Sequence, residues 1–148
     1  MTNGRAVENR GPVQPARPWR YLWAGPTTLL GLAAALASLA PPHREGPILL
    51  CRSNRGFARW FLIRRGYSAI TLGHLLLVTT EPTPTILRHE MVHVRQAERW
   101  GPLFVPVYLI AMLAARLHGK DPYWDNMFET EARSREGASD PSSAQPQP

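Results

Sequence analysis

His89, Glu90 and His93 stand in the order H-E-x-x-H within the stretch LRHEMVHVRQAERW, Leu87 to Trp100. Residues i and i+4 of a helix lie one turn apart on the same side, so two imidazoles at this spacing can point at one cation without distorting the backbone. Glu90 follows the first ring but is displaced around the helix, where its carboxylate reaches a water beside the cation rather than the cation itself. A metal that lowers the pKa of that water towards about 7, and a carboxylate that takes its proton, are the equipment for attack on a carbonyl carbon. Chance would put H-E-x-x-H in roughly one chain in a hundred of this length and composition, so two solvated histidines on a surface helix are the competing reading.

A hydrolytic zinc site needs a third protein ligand and one open position. Cys51 is the single cysteine, which excludes an intrachain disulfide and a cysteine-rich zinc module and leaves histidine and carboxylate as ligand types. The downstream segment FETEA supplies Glu129 as the candidate, on a short helix that Asp125 or Asn126 would cap. Glu131, Asp121, Asp125 and His118 are its rivals. His74, in the middle of an apolar strand, reads as structural, and Tyr108, Tyr123 and Trp124 as packing residues, although a tyrosine near a metal can steady an oxyanion. Gln96 either bonds within the site or faces water.

His89-Glu90-x-x-His93 followed by Glu129-x-x-Ala132 resembles the gluzincin type of zinc metallopeptidase, whose third ligand is a glutamate in an E-x-x-A-D motif on a later helix. It is also similar to small bacterial zincin-like proteins in which a TLGH-like strand leads into H-E-x-x-H-x-x-Q, as ITLGHLLL leads here into HEMVHVRQ. The resemblance covers about residues 66 to 133. It implies a minimal zincin-like α+β domain with a few short strands, a metal-binding helix and a glutamate helix. It implies Zn2+ held by His89, His93 and Glu129, Glu90 as general base, and a peptide or protein substrate. Arg133 stands where the pattern has an acid, so the outer carboxylate that orients a ligand histidine must come from another group, such as Asp125 or Glu131, or the site is weakened.

The elements that must position these residues follow from the rest of the chain. Thr83 and Pro84 mark a helix start and Gly101-Pro102 its end. On a wheel, His89, His93, Gln96 and Trp100 share one sector, Arg88, Arg95 and Arg99 a second, and Leu87, Met91 and Val94 a third. Upstream, ILLCRS reads as a strand, NRGFARWFLIRRGY as a short helix and SAITLGHLLLVTT as one strand apolar on both faces. Downstream, Leu103 to Leu117 is short for a bilayer crossing. If it did cross, about 30 Å of hydrocarbon would part the histidines from Glu129, so the metal reading requires it to fold back, lie along an interface or join the core.

Leu22 to Ala40 carries no charged side chain, with Trp19, Tyr21 and Trp23 at its start and Pro41-Pro42 at its end. This predicts an N-terminal transmembrane helix over 19–42, with a cleaved signal sequence or a buried core helix as alternatives. Residues 1–18 read as a disordered basic leader, 43–133 as the zincin-like domain and 134–148 as a disordered tail. Four arginines before the apolar run are balanced by four after it, so charge does not set the orientation. The net charge of +6 attracts anionic surfaces. No nucleic acid is expected as a partner, because no recognisable module or aromatic platform accompanies the arginines. The expected partner is a membrane, in the resemblance a bacterial cell membrane. A non-catalytic membrane protein with a degenerate or structural metal site is the alternative to a metallopeptidase.

Overall fold

A computed structural model describes residues 18–138; the leader and tail lie outside the described residues except for Pro18 and residues 134–138. Helices α1 (Pro18–Trp23) and α2 (Gly25–Ala37) precede a hairpin of β1 (Pro42–Glu45) and β2 (Ile48–Arg52). A π-helical turn over Ala58–Leu62 and a 3-10 turn over Ile63–Arg65 lead to β3 (Ala69–Leu72) and β4 (Leu75–Val78). Then come α3 (Pro84–Trp100), α4 (Phe104–Leu117) and α5 (Met127–Ala138). The class is α+β, with a mixed sheet ordered β1-β2-β4-β3 in which β2 and β4 run parallel.

Every side chain of β4 is buried. Leu75 and Leu77 pack with Ala35, Cys51, Ala58 and Leu62 on one face of the sheet. Leu76 and Val78 pack with Ile48, Leu50 and Val94 on the other. The sheet is thus a layer between α2 with the π-helical turn and α3, and each buried leucine contributes on the order of 1.5 to 3 kcal/mol by leaving water.

The single strand expected over SAITLGHLLLVTT is instead the antiparallel hairpin β3–β4, turning at Gly73-His74 with Leu72 paired to Leu75. Period-two alternation runs through both arms and hides the turn. The turn exists because Gly73 adopts φ +65°, and because a Cβ there would lie 2.2 Å from the Thr28 hydroxyl oxygen of α2. The His74 backbone N–H donates to that same oxygen at 3.0 Å. At the other end of the domain, α5 runs to Ala138, past the boundary expected at residue 133.

The apolar run expected over 19–42 is broken at Ala24 into α1 and α2. Thr27, Gly31 and Ala35 are the buried side of α2. The 13 residues of α2 span about 20 Å, short of the roughly 30 Å of a bilayer core. The one helical run long and apolar enough to cross a membrane by length and composition, among the described residues, is Pro84–Leu117. It is not one rod. Gly101, at φ +57°, and a 3-10 turn over Gly101–Leu103 separate α3 from α4. The Tyr108 ring comes back to 6.4 Å from the His93 ring, whereas 15 residues of straight helix would part them by about 22 Å. The second apolar segment therefore folds beside the histidines.

Candidate metal centre

Helix α3 starts where the sequence places it, with the Thr83 side chain accepting from the Ile86 N–H at 3.3 Å. Helix α5 is capped by Asn126, whose side-chain oxygen accepts from the Phe128 N–H at 3.0 Å. Asn126 is fully buried, and its amide also donates to the Tyr108 carbonyl at 3.4 Å, which ties α5 to α4. Phe128 packs with Ala97 and Phe104 in a third apolar cluster behind the site. These contacts bring Glu129, 2% exposed, against the histidine face of α3.

Four donor atoms on three side chains converge. His93 Nε2 lies 3.2 Å from His89 Nε2 and 3.2 Å from Glu129 Oε1, and His89 Nε2 lies 3.2 Å from Glu129 Oε2. Donors bonded at about 2.0 to 2.1 Å to a tetrahedral ion stand about 3.3 to 3.4 Å apart, so this triangle of side chains, with one ligand atom from each within 4.8 Å of the others, is close to the spacing of ligands around one ion. Among the described residues, these three side chains are the group of histidine, cysteine or acidic residues able to hold a metal ion.

The charges agree with that geometry. Burial pushes the Glu129 carboxyl up, but the hydrogen bonds from His89, His93 and Tyr108 and the nearby imidazolium charge outweigh it and hold the group well below the usual carboxylate range. The hydrogen bond to Glu129 raises His89 above the ordinary imidazole value. Burial lowers His93, yet Glu129 and Glu90 together carry it upward. Glu129 is thereby held as a carboxylate between the two rings, the ionised form a cation would need.

Glu90 is buried and accepts a 2.6 Å hydrogen bond from the Thr71 hydroxyl of β3. Burial raises its carboxyl above the usual range, against the opposing pull of His93 and of Thr71. It lines the same cavity as His89, His93 and Glu129, a space of about 410 Å³ walled mainly by apolar side chains including Phe61, Leu72, Phe104 and Met112. Tyr108 also lines it and donates from its hydroxyl to Glu129 Oε1 at 2.7 Å. Burial first, then the Glu129 charge, keeps the Tyr108 phenol protonated well beyond its ordinary range.

The rival residues lie elsewhere. His118 is exposed and its ring N–H donates to the Ala114 carbonyl of its own helix at 2.7 Å. Asp121 accepts from the Tyr123 and Trp124 N–H groups, and Asp125 from the Asp121 N–H, so both build the loop before α5. Glu131 pairs with Arg135 at 2.8 Å and does not join the triangle. His74 is buried with Nε2 3.2 Å from Glu98 Oε1 and its ring stacked on Tyr21 at 4.4 Å, a structural tie between the hairpin, α3 and α1. Sequence reasoning missed Thr71, because nothing local marks a threonine on an outer strand as the partner of a carboxylate 19 residues on. Compared with protein-family models, curated proteins and solved structures, the chain matches none.

Proposed function

We propose that this chain is a membrane-associated, zinc-dependent metallopeptidase of the gluzincin type. The observation that carries the reading is the convergence of His89, His93 and Glu129, whose two ring nitrogens lie 3.2 Å from each other and each 3.2 Å from one carboxylate oxygen. Two imidazoles and one carboxylate, with the remaining direction open to a cavity, are the ligand set of catalytic zinc. When bound there, zinc supplies an acidified water and a polarising charge for a carbonyl oxygen.

The chain's own groups do the rest. Glu90 takes the proton from water as the water oxygen attacks the peptide carbonyl carbon, and returns it to the leaving nitrogen as the C–N bond breaks. Its burial and raised pKa suit a group that must hold a proton between those steps. The apolar cavity wall favours a substrate with an apolar side chain beside the scissile bond.

Exposed apolar surface supports the membrane part of this reading. Leu29, Leu30 and Leu36 on α2 and Ile110, Leu113 and Leu117 on α4 are exposed, far more apolar surface than a soluble face carries singly. With α2 too short to cross, the reading is two helices lying in the head-group interface, the arginine excess facing anionic lipid.

The test is zinc analysis of the purified protein beside His93→Ala and Glu129→Ala, with peptide hydrolysis by wild type and Glu90→Gln. The expected result is about one zinc in wild type and in Glu90→Gln, little in the two ligand variants, and hydrolysis lost by a factor of at least about 100 in Glu90→Gln. Equal zinc in wild type and both ligand variants removes the ligand assignment. Zinc in place without Glu90-dependent hydrolysis removes the peptidase.

A further inference from the structure

Gln96 lies one turn beyond His93, 3% exposed, and its amide is bonded at both ends. Its Nε2 donates to the Phe128 carbonyl at 3.1 Å and to Glu131 Oε2 at 3.0 Å. Both partners only accept, so the NH2 end of the amide is fixed there and Oε1 faces His93. The His93 Nδ1 lies 2.8 Å from that oxygen. An amide oxygen can only accept, so Nδ1 carries the proton and donates it. Turning the amide over would set its oxygen against a carbonyl and a carboxylate, leaving buried acceptors facing each other.

The consequence falls on the other ring nitrogen. In the neutral ring that a metal would bind, the proton on Nδ1 leaves the lone pair on Nε2, and it is Nε2 that stands 3.2 Å from both His89 Nε2 and Glu129 Oε1. The acid expected to orient a histidine from position 133 is replaced by Arg133, whose guanidinium donates to the Trp124 carbonyl and lies 4.8 Å over the Trp124 ring, away from the triangle. The carboxylate of Glu131 serves His93 at one remove, through the Gln96 amide. The same amide holds the backbone of Phe128, the residue before Glu129.

We propose that Gln96 is a positioning residue which, relaying Glu131, locks His93 in its Nδ1–H tautomer and couples that histidine to the helix bearing Glu129. This rests on the zinc reading of the triangle but goes beyond it, since it assigns the role left open by Arg133.

The experiment measures Zn2+ affinity by chelator competition in wild type, Gln96→Met and Glu131→Leu. It adds 15N NMR of the histidine rings in the zinc-loaded wild type. Gln96→Met removes the acceptor and is expected to weaken zinc binding about 10- to 100-fold, the range seen for lost outer partners of ligand histidines. Glu131→Leu leaves the Gln96 amide without the carboxylate behind it and is expected to weaken zinc binding by a smaller factor than Gln96→Met. The NMR is expected to show zinc on Nε2 of His93 and a slowly exchanging proton on Nδ1. Unchanged affinity in either variant overturns the inference and leaves the metal centre standing. Zinc on Nδ1 overturns it even if Gln96→Met does not fold. A wild type that binds no zinc ends both readings, which the metal analysis of the ligand variants distinguishes.

Discussion

Thr71 on the outer strand β3 donates a 2.6 Å hydrogen bond to Glu90 on α3, so the strand holds the candidate base by its carboxylate. Hydrogen bonds to charged groups contribute about 1.5 to 3 kcal/mol, and this one favours the ionised form of a carboxyl that burial drives the other way. Thr71→Val keeps the shape and removes the donor. The Glu90 pKa then rises further, and because the base must be ionised to take a proton, the acidic limb of the pH–rate profile moves to higher pH. Hydrolysis below neutrality falls by about tenfold for each unit of that movement. Zinc content stays at the wild-type level, since Thr71 touches no ligand. An acidic limb that stays in place in Thr71→Val would remove Glu90 as the group it reports.

How much of this was legible in the sequence depends on the range of each interaction. The two imidazoles and Glu90 are set by helical spacing alone, and the start of α3 by Thr83-Pro84, so local pattern sufficed. Glu129 was legible only through the E-x-x-A pattern, because no local rule brings a helix 40 residues away into register; Asn126, Phe128 and the return of α4 at Gly101 do that. The Gly73 turn was lost inside an unbroken apolar alternation. It depends on Thr28, on the far layer of the sheet, and a contact between residues 45 apart in the chain leaves no period to read. The same reasoning explains Gln96, whose three partners come from its own helix and from α5.

Without a metal, the cluster of His89, His93 and Glu129 titrates on its own. The folded pKa values of His89 and His93 are raised, so their contribution to stability is complete below the unfolded value near 6.5 and is lost as pH rises through the folded values. Glu129 is lowered, so its contribution is present above the unfolded value near 4.3 and is lost only as pH falls through its folded value. Between pH 6 and 8 the histidines, together with Glu90 whose carboxyl is also raised, therefore set the slope, and all three act in the same direction. The chelated protein is expected to melt at progressively lower temperature across that window. The zinc-loaded protein binds the neutral imidazoles and is expected to hold or gain melting temperature there, because protons no longer compete for the ligands. Parallel melting curves for the two forms would show that zinc and protons do not share these rings.

The exposed face of α4 can be separated from the site that α4 helps to wall. Leu109 and Met112 line the cavity, whereas Ile110 and Leu113, 64% and 56% exposed, do not. Substitutions at such exposed positions shift stability by about 0.5 kcal/mol or less. The double variant Ile110→Glu with Leu113→Glu should therefore fold, load zinc and hydrolyse a soluble peptide as wild type does. Its binding to vesicles of phosphatidylcholine and phosphatidylglycerol should fall by at least about tenfold, because two apolar anchors become charges that the acyl region rejects and anionic head groups repel. Cosedimentation of the variant equal to that of wild type would detach this face from the membrane. Loss of peptide hydrolysis together with vesicle binding would instead mean that α4 cannot be altered on its outer side without moving Tyr108, and through it Glu129.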